Sequence, residues 1–166
     1  MTKKCGIVAA WAILLYVLQT SFLPLIAYRG ISPDLMLLLT VSFAFMHGAR
    51  YGSLMGFCAG LLNDLATGTF FGVNIFSRTI IGFVCGRFSD QVFKEQLLLP
   101  IFAALMATVV NYFITAAFMF MLGYSFNMLN HIQTYLPVML YYQLIFAYPV
   151  HILTIKVEKY IKNQKQ

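Results

Sequence analysis

"GSLMGFCAG", residues 52–60, sets a glycine at every fourth position: Gly52, Gly56 and Gly60. In the interior of a soluble helix each glycine costs about 1 kcal/mol relative to alanine. Lipid changes that balance. Apolar burial no longer draws helices together there, and small residues contribute by letting backbones approach closely. The stretch reads as one face of a membrane helix against which another helix presses.

The rest of the chain agrees with a lipid solvent. Of 166 residues, 61% are hydrophobic and 10% charged, against about 25% charged in ordinary globular domains. The mean hydropathy is +0.81. The net charge of +6 lies at the edges of apolar runs rather than in a basic stripe, which argues against nucleic acid and for membrane orientation. The three cysteines, Cys5, Cys58 and Cys85, have no metal or redox spacing and read as small hydrophobes.

A spanning helix needs about 20 apolar residues. Six spans are expected, at about 5–23, 34–48, 51–66, 70–88, 97–122 and 136–155, forming one all-α transmembrane domain over 1–166. Lys3 and Lys4 followed by an apolar run resemble a signal peptide, but no small-residue cleavage site follows, so a retained first helix is expected. With the N-terminus inside, Lys3, Lys4, Arg50, Arg87, Lys94, Lys156, Lys159, Lys162 and Lys165 face the cytoplasm, and Arg29 lies outside. That asymmetry places both termini in the cytoplasm. Pro137 is expected to open the sixth span, and Pro149 to kink or unwind it.

The fourth span repeats the four-residue step with Arg78, Gly82 and Gly86, and the same step from Gly60 reaches Asp64. In an antiparallel hairpin centred near residue 71, Gly56 would face Gly86, Gly60 would face Gly82, and Asp64 would meet Arg78. A turn centred nearer 68 would put Arg78 deeper than Asp64. Charges inside spans are costly and pair or line cavities. Asp64 and Arg78, with Asn63 and Asn74 beside them, therefore read either as a staple of the hairpin or as part of a polar cavity near the outer leaflet. The glycines Gly52, Gly56, Gly60, Gly82 and Gly86 read as a packing face, internal or for a partner helix. Thr108, Asn111, Thr115 and Gln143 read as separate interhelical hydrogen-bonding groups. His47, His131 and His151 are too scattered for a metal site. The loop at 123–135 carries Tyr124, Ser125, Asn127, Asn130, His131 and Gln133.

No HExxH, GxSxG or phosphate-binding loop occurs in the sequence. No catalytic residue, cofactor or metal is expected, and nothing in these motifs supports an intramembrane enzyme.

"SPDLMLLL" (32–39), "GSLMGFCAGLLNDLATG" (52–68) and "FFGVNIFSRTIIGFVCGRF" (70–88) together resemble the MreD family of rod shape-determining proteins. The resemblance rests on Pro33–Asp34, the spaced glycines, the segment from Gly60 to Asp64, and Gly72 and Gly82. It implies a multi-pass protein of the bacterial inner membrane that acts as a scaffold of the cell-wall elongation complex. The implied partners are an MreC-like single-span protein, membrane lipid and, directly or indirectly, MreB, a glycosyltransferase and a transpeptidase. The six-helix plan is also similar to the substrate-binding S-components of energy-coupling-factor vitamin transporters. Those contact their energising partner through small residues of the first helix, where this chain has Gly6 and Ala10.

Overall fold

The computed structural model describes residues 2–68, 71–89, 98–123 and 128–163, with side chains over 6–68, 71–89, 99–123 and 132–161. The expectations placed on Lys94, Lys165, Tyr124, Ser125 and Asn127 lie outside the described residues. So do those on the side chains of Lys3, Lys4, Cys5, Asn130, His131 and Lys162. Six α-helices make up the described chain: α1 (Thr2–Ser21), α2 (Leu35–His47), α3 (Ala49–Thr67), α4 (Val73–Ser89), α5 (Leu98–Met121) and α6 (Met128–Asn163). A 3₁₀ turn at Leu23–Ile26 follows α1.

The centre of the bundle is α2. It touches each of the other five helices, and Leu35, Met36, Leu37, Leu38, Leu39 and Val41 are all buried. A helix that is apolar all round has no side to turn to water and belongs inside. Its 13 residues make a rod only about 20 Å long, short of the ~30 Å hydrocarbon layer. The helix is thus an interior post. The chain reverses directly into α3 at Gly48, whose φ of 81° is a conformation that suits a residue without Cβ. Gly68, at φ 62°, ends α3 in the left-handed conformation common at helix C-termini.

The hairpin of α3 and α4 is the closest contact in the fold. A Cβ added at Gly52 would lie 2.5 Å from the Gly82 carbonyl oxygen and 2.6 Å from Ala44 Cβ. One at Gly60 would lie 2.5 Å from both the Asn74 oxygen and Ile75 Cα, and one at Gly86 would lie 2.5 Å from Ala49 Cα. At Gly56 it would fall on the Arg78 carbonyl, and at Gly82 on that of Gly52. All five glycines are buried, and their faces are filled by the hairpin itself.

Of the two expected registers, the structure departs from the turn centred near 71 and agrees with the one nearer 68. Gly52 faces Gly82, Gly56 faces the Arg78 backbone, and Gly60 faces Asn74 and Ile75, so the pairing centres near residue 67, and Arg78 lies deeper than Asp64. The cause is the capping of α4 by Asp64, described below. It draws the start of α4 back alongside Asp64 and leaves the last turn of α3 extending past it.

Helix α6 also differs from expectation. It starts at Met128 and runs uninterrupted through Pro137 and Pro149. Each proline removes one i→i−4 donor, a loss that membrane helices tolerate where neighbours or local adjustment satisfy the freed carbonyl. Two described stretches, Leu99–Met121 and Ile132–Ile161, are long and apolar enough to cross a bilayer, while Gly6–Ser21 and Leu35–His47 are shorter apolar helices. Helix α1 is held to α6 by Trp11 Nε1 donating to Thr154 Oγ1 at 3.3 Å. At the end where α2 turns into α3, His47 Nε2 lies 3.2 Å from Glu158 Oε1, and Ser89 Oγ donates to the Ala44 carbonyl at 3.4 Å.

Leucine at Gly56 has backbone in its way, and no rotamer avoids it. Gly56→Leu and Gly60→Leu are expected to lower membrane levels sharply, with the residual protein melting well below the parent. Alanine at Gly6, where a Cβ meets nothing within 4 Å, should leave both unchanged. Fluorescence-detected size exclusion across a temperature series measures all three.

Candidate functional site: a polar cavity over a buried ion pair

Asp34 follows Pro33 and caps α2. Its Oδ1 accepts from the Leu37 N–H at 2.9 Å, the usual N-cap geometry. The N–H of Met36 is satisfied from another helix, donating to Gln19 Oε1 at 3.1 Å. Gln143 Nε2 of α6 approaches the Asp34 carbonyl at 3.4 Å. The start of α2 is therefore tied to α1 and α6 as well as to itself.

The second carboxylate oxygen of Asp34 holds Arg78. Nη2 donates to Oδ2 at 2.7 Å, a distance typical of a charge-assisted bond. Arg78 is 1% exposed and Asp34 8%. Arg78 Nη1 also points at the Ala59 carbonyl at 3.4 Å, and its Nε has no partner. An arginine buried this deeply needs a counter-charge in direct contact, and Asp34 supplies it from 44 residues away in sequence.

Asp64 does not meet Arg78; each charge has partners of its own. The Asp64 carboxylate accepts from the backbone N–H groups of Gly72 at 2.9 Å, Asn74 at 3.2 Å and Ile75 at 3.1 Å. It also accepts from Asn74 Nδ2 at 2.8 Å. These are the orphan donors of the first turn of α4, and a negative charge at a helix N-terminus is favoured by the helix dipole. Asp64 is wholly buried and carries no unsatisfied oxygen. It is a cap delivered by the preceding helix.

Above the ion pair lies a cavity of about 520 Å³. Gln19, Ser32, Asp34, Asn63, Asn74 and Arg78 line one side. Thr108, Asn111, Tyr112 and Thr115 of α5, with Tyr135 of α6, line another, and Pro33, Ala116, Met119, Leu136 and Met139 supply apolar wall. Tyr112 and Tyr135 stack with ring centroids 5.6 Å apart. Of the expected polar set, Asn63, Asn74 and Arg78 border this space, and Asp64 stands behind it. The glycine ladder takes no part. Asp34, Gln19 and the α5 face were missed as members of a common site. One signal for them was present: Thr108, Asn111, Tyr112 and Thr115 follow one another at spacings that keep them on one helix face. Among the described residues no cluster of His, Cys, Asp and Glu is placed to hold a metal.

Two helices long and apolar enough to cross a bilayer, in a bundle whose outer faces carry large apolar side chains, are features of an α-helical membrane protein. The chain matches the family described as rod shape-determining protein MreD over residues 4–163, and it belongs to the MreD family. A role in rod shape determination follows from that membership. No curated protein and no solved structure matches the chain.

Breaking a buried pair by removing one partner costs about 3–5 kcal/mol. Arg78→Ala and Asp34→Ala are each expected to destabilise on that scale, with the double variant well short of their sum. Asp64→Ala should be damaging too, through loss of the α4 cap, but its effect should add to that of Arg78→Ala. Thermal-shift double-mutant cycles distinguish the two pairs.

Proposed function

We propose that this protein is a six-span scaffold of the bacterial inner membrane, with both termini in the cytoplasm. It holds an MreC-like single-span partner and, directly or through it, the MreB filament and the enzymes of peptidoglycan synthesis. The observation that carries this reading is the family match over nearly the whole chain. The distribution of charge supports the orientation. Arg50 opens α3, Arg87 closes α4, and Lys156 and Lys159 lie near the end of α6, all at the end away from the cavity. Positive charge favours the cytoplasmic side, so the cavity belongs to the periplasmic half.

The packing supports the scaffold role. Because α3 and α4 use their small-residue faces on each other, their outward faces are fixed in register. Those faces present Leu54, Phe57 and Leu65 on α3, and Phe83, Val84 and Phe88 on α4. A partner helix arriving through lipid would meet large apolar side chains on a rigid block rather than a glycine groove.

Gentle extraction from the host membrane followed by native mass spectrometry tests the reading. The expected result is a stoichiometric single-span protein with a periplasmic domain. Recovery of the bare chain, or of an ATPase module with its membrane coupler, would overturn the scaffold in favour of another role, the latter pointing to a carrier.

A further inference from the structure

We infer that the cavity above the Asp34–Arg78 pair is a binding site for a small, uncharged molecule rich in hydroxyl and amide groups. Its volume of about 520 Å³ falls in the roughly 300–1,000 Å³ range of sites that enclose small organic ligands. Its chemistry is that of a site rather than of a packing defect. A void in an apolar membrane bundle would be lined by aliphatic side chains, whereas this one gathers amides and hydroxyls from five of the six helices.

The lining carries both donors and acceptors. Gln19, Asn63, Asn74 and Asn111 each bring an amide, and Ser32, Thr108 and Thr115 each bring a hydroxyl. Such a wall is complemented by a molecule that itself carries donors and acceptors, as a hydroxyl or an amide does.

The charge state follows from the ion pair. The cation that borders the cavity is already neutralised by Asp34 in direct contact. An anionic ligand would have to displace that carboxylate and expose it, and a cationic one would crowd the guanidinium. Met119, Leu136 and Met139 give the same ligand an apolar wall to lie against. A saccharide or acetamido-saccharide has this combination of C–H faces and hydrogen-bonding edges.

The inference does not depend on the scaffold reading, because ligand and partner are recovered as separate masses and either can fail alone. The full-length protein is tested with three probes on one sugar frame: N-acetylglucosamine, glucosamine and glucuronate, each at millimolar concentration. The readouts are thermal shift and native mass spectrometry, and the latter is also run on protein taken directly from its host membrane. Variants Asn111→Leu and Thr115→Val remove polar groups from the wall while leaving the ion pair intact. Either one suffices if the other fails to fold.

The expected result is a stabilising shift with N-acetylglucosamine alone, or a neutral polar adduct carried from the membrane. Either should weaken at least tenfold in a folded variant. A shift equal for all three probes, or one unchanged in the variants, overturns the proposal. So does a phospholipid or detergent adduct in the cavity, or a bare mass with no shift.

Discussion

One carboxylate does two things on which the bundle depends. Asp34 closes the N-terminus of α2 with one oxygen and neutralises Arg78 with the other. Both duties follow from the burial of α2. A helix packed on all sides buries its first N–H groups, and the guanidinium of Arg78 beside it is 1% exposed. A single anion at their meeting point answers both needs. It also fixes the depth of α4 relative to α2, since a 2.7 Å contact leaves little freedom to slide.

The hairpin obeys a second constraint of the same kind. The backbones of α3 and α4 come together because glycine removes the side chains between them, and the register of that contact is set by Asp64. The carboxylate is held by three backbone N–H groups and one side-chain amide. Sliding α4 by one turn would empty that cradle, yet the four-residue glycine step would still set glycine against backbone. The seam thus accepts alignments one turn apart, and the Asp64 cap selects among them.

The helices were legible because each apolar run is bounded by charge, proline or glycine. The ends agree to within a few residues, apart from α6. There Pro137 read as a start signal, yet the polar stretch before it is already helical. The glycine face was legible from its spacing. Its register was open between turns centred near 71 and near 68, and the second holds because Asp64 pulls the start of α4 back over α3. The partner of Arg78 was hidden for a plainer reason. Asp64 lies on the same four-residue step and close in sequence, whereas Asp34 comes to Arg78 only when α2 is inserted beside the hairpin. The cavity is likewise a tertiary object. Gln19, Asn74 and Asn111 are ordinary polar residues one at a time, and they become a site when their helix ends converge.

The order of the groups along the chain carries a consequence for synthesis. Both carboxylates, Asp34 and Asp64, precede Arg78 and the start of α4. Polypeptides are made from the N-terminus, and early segments fold first. When the cation and the uncapped turn of α4 leave the ribosome, their counter-charge and their cap have already been made. Helix α4 therefore enters the bilayer after the two helices that carry its counter-charge and its cap. The reverse chain order would oblige Arg78 to wait in hydrocarbon for an anion not yet translated.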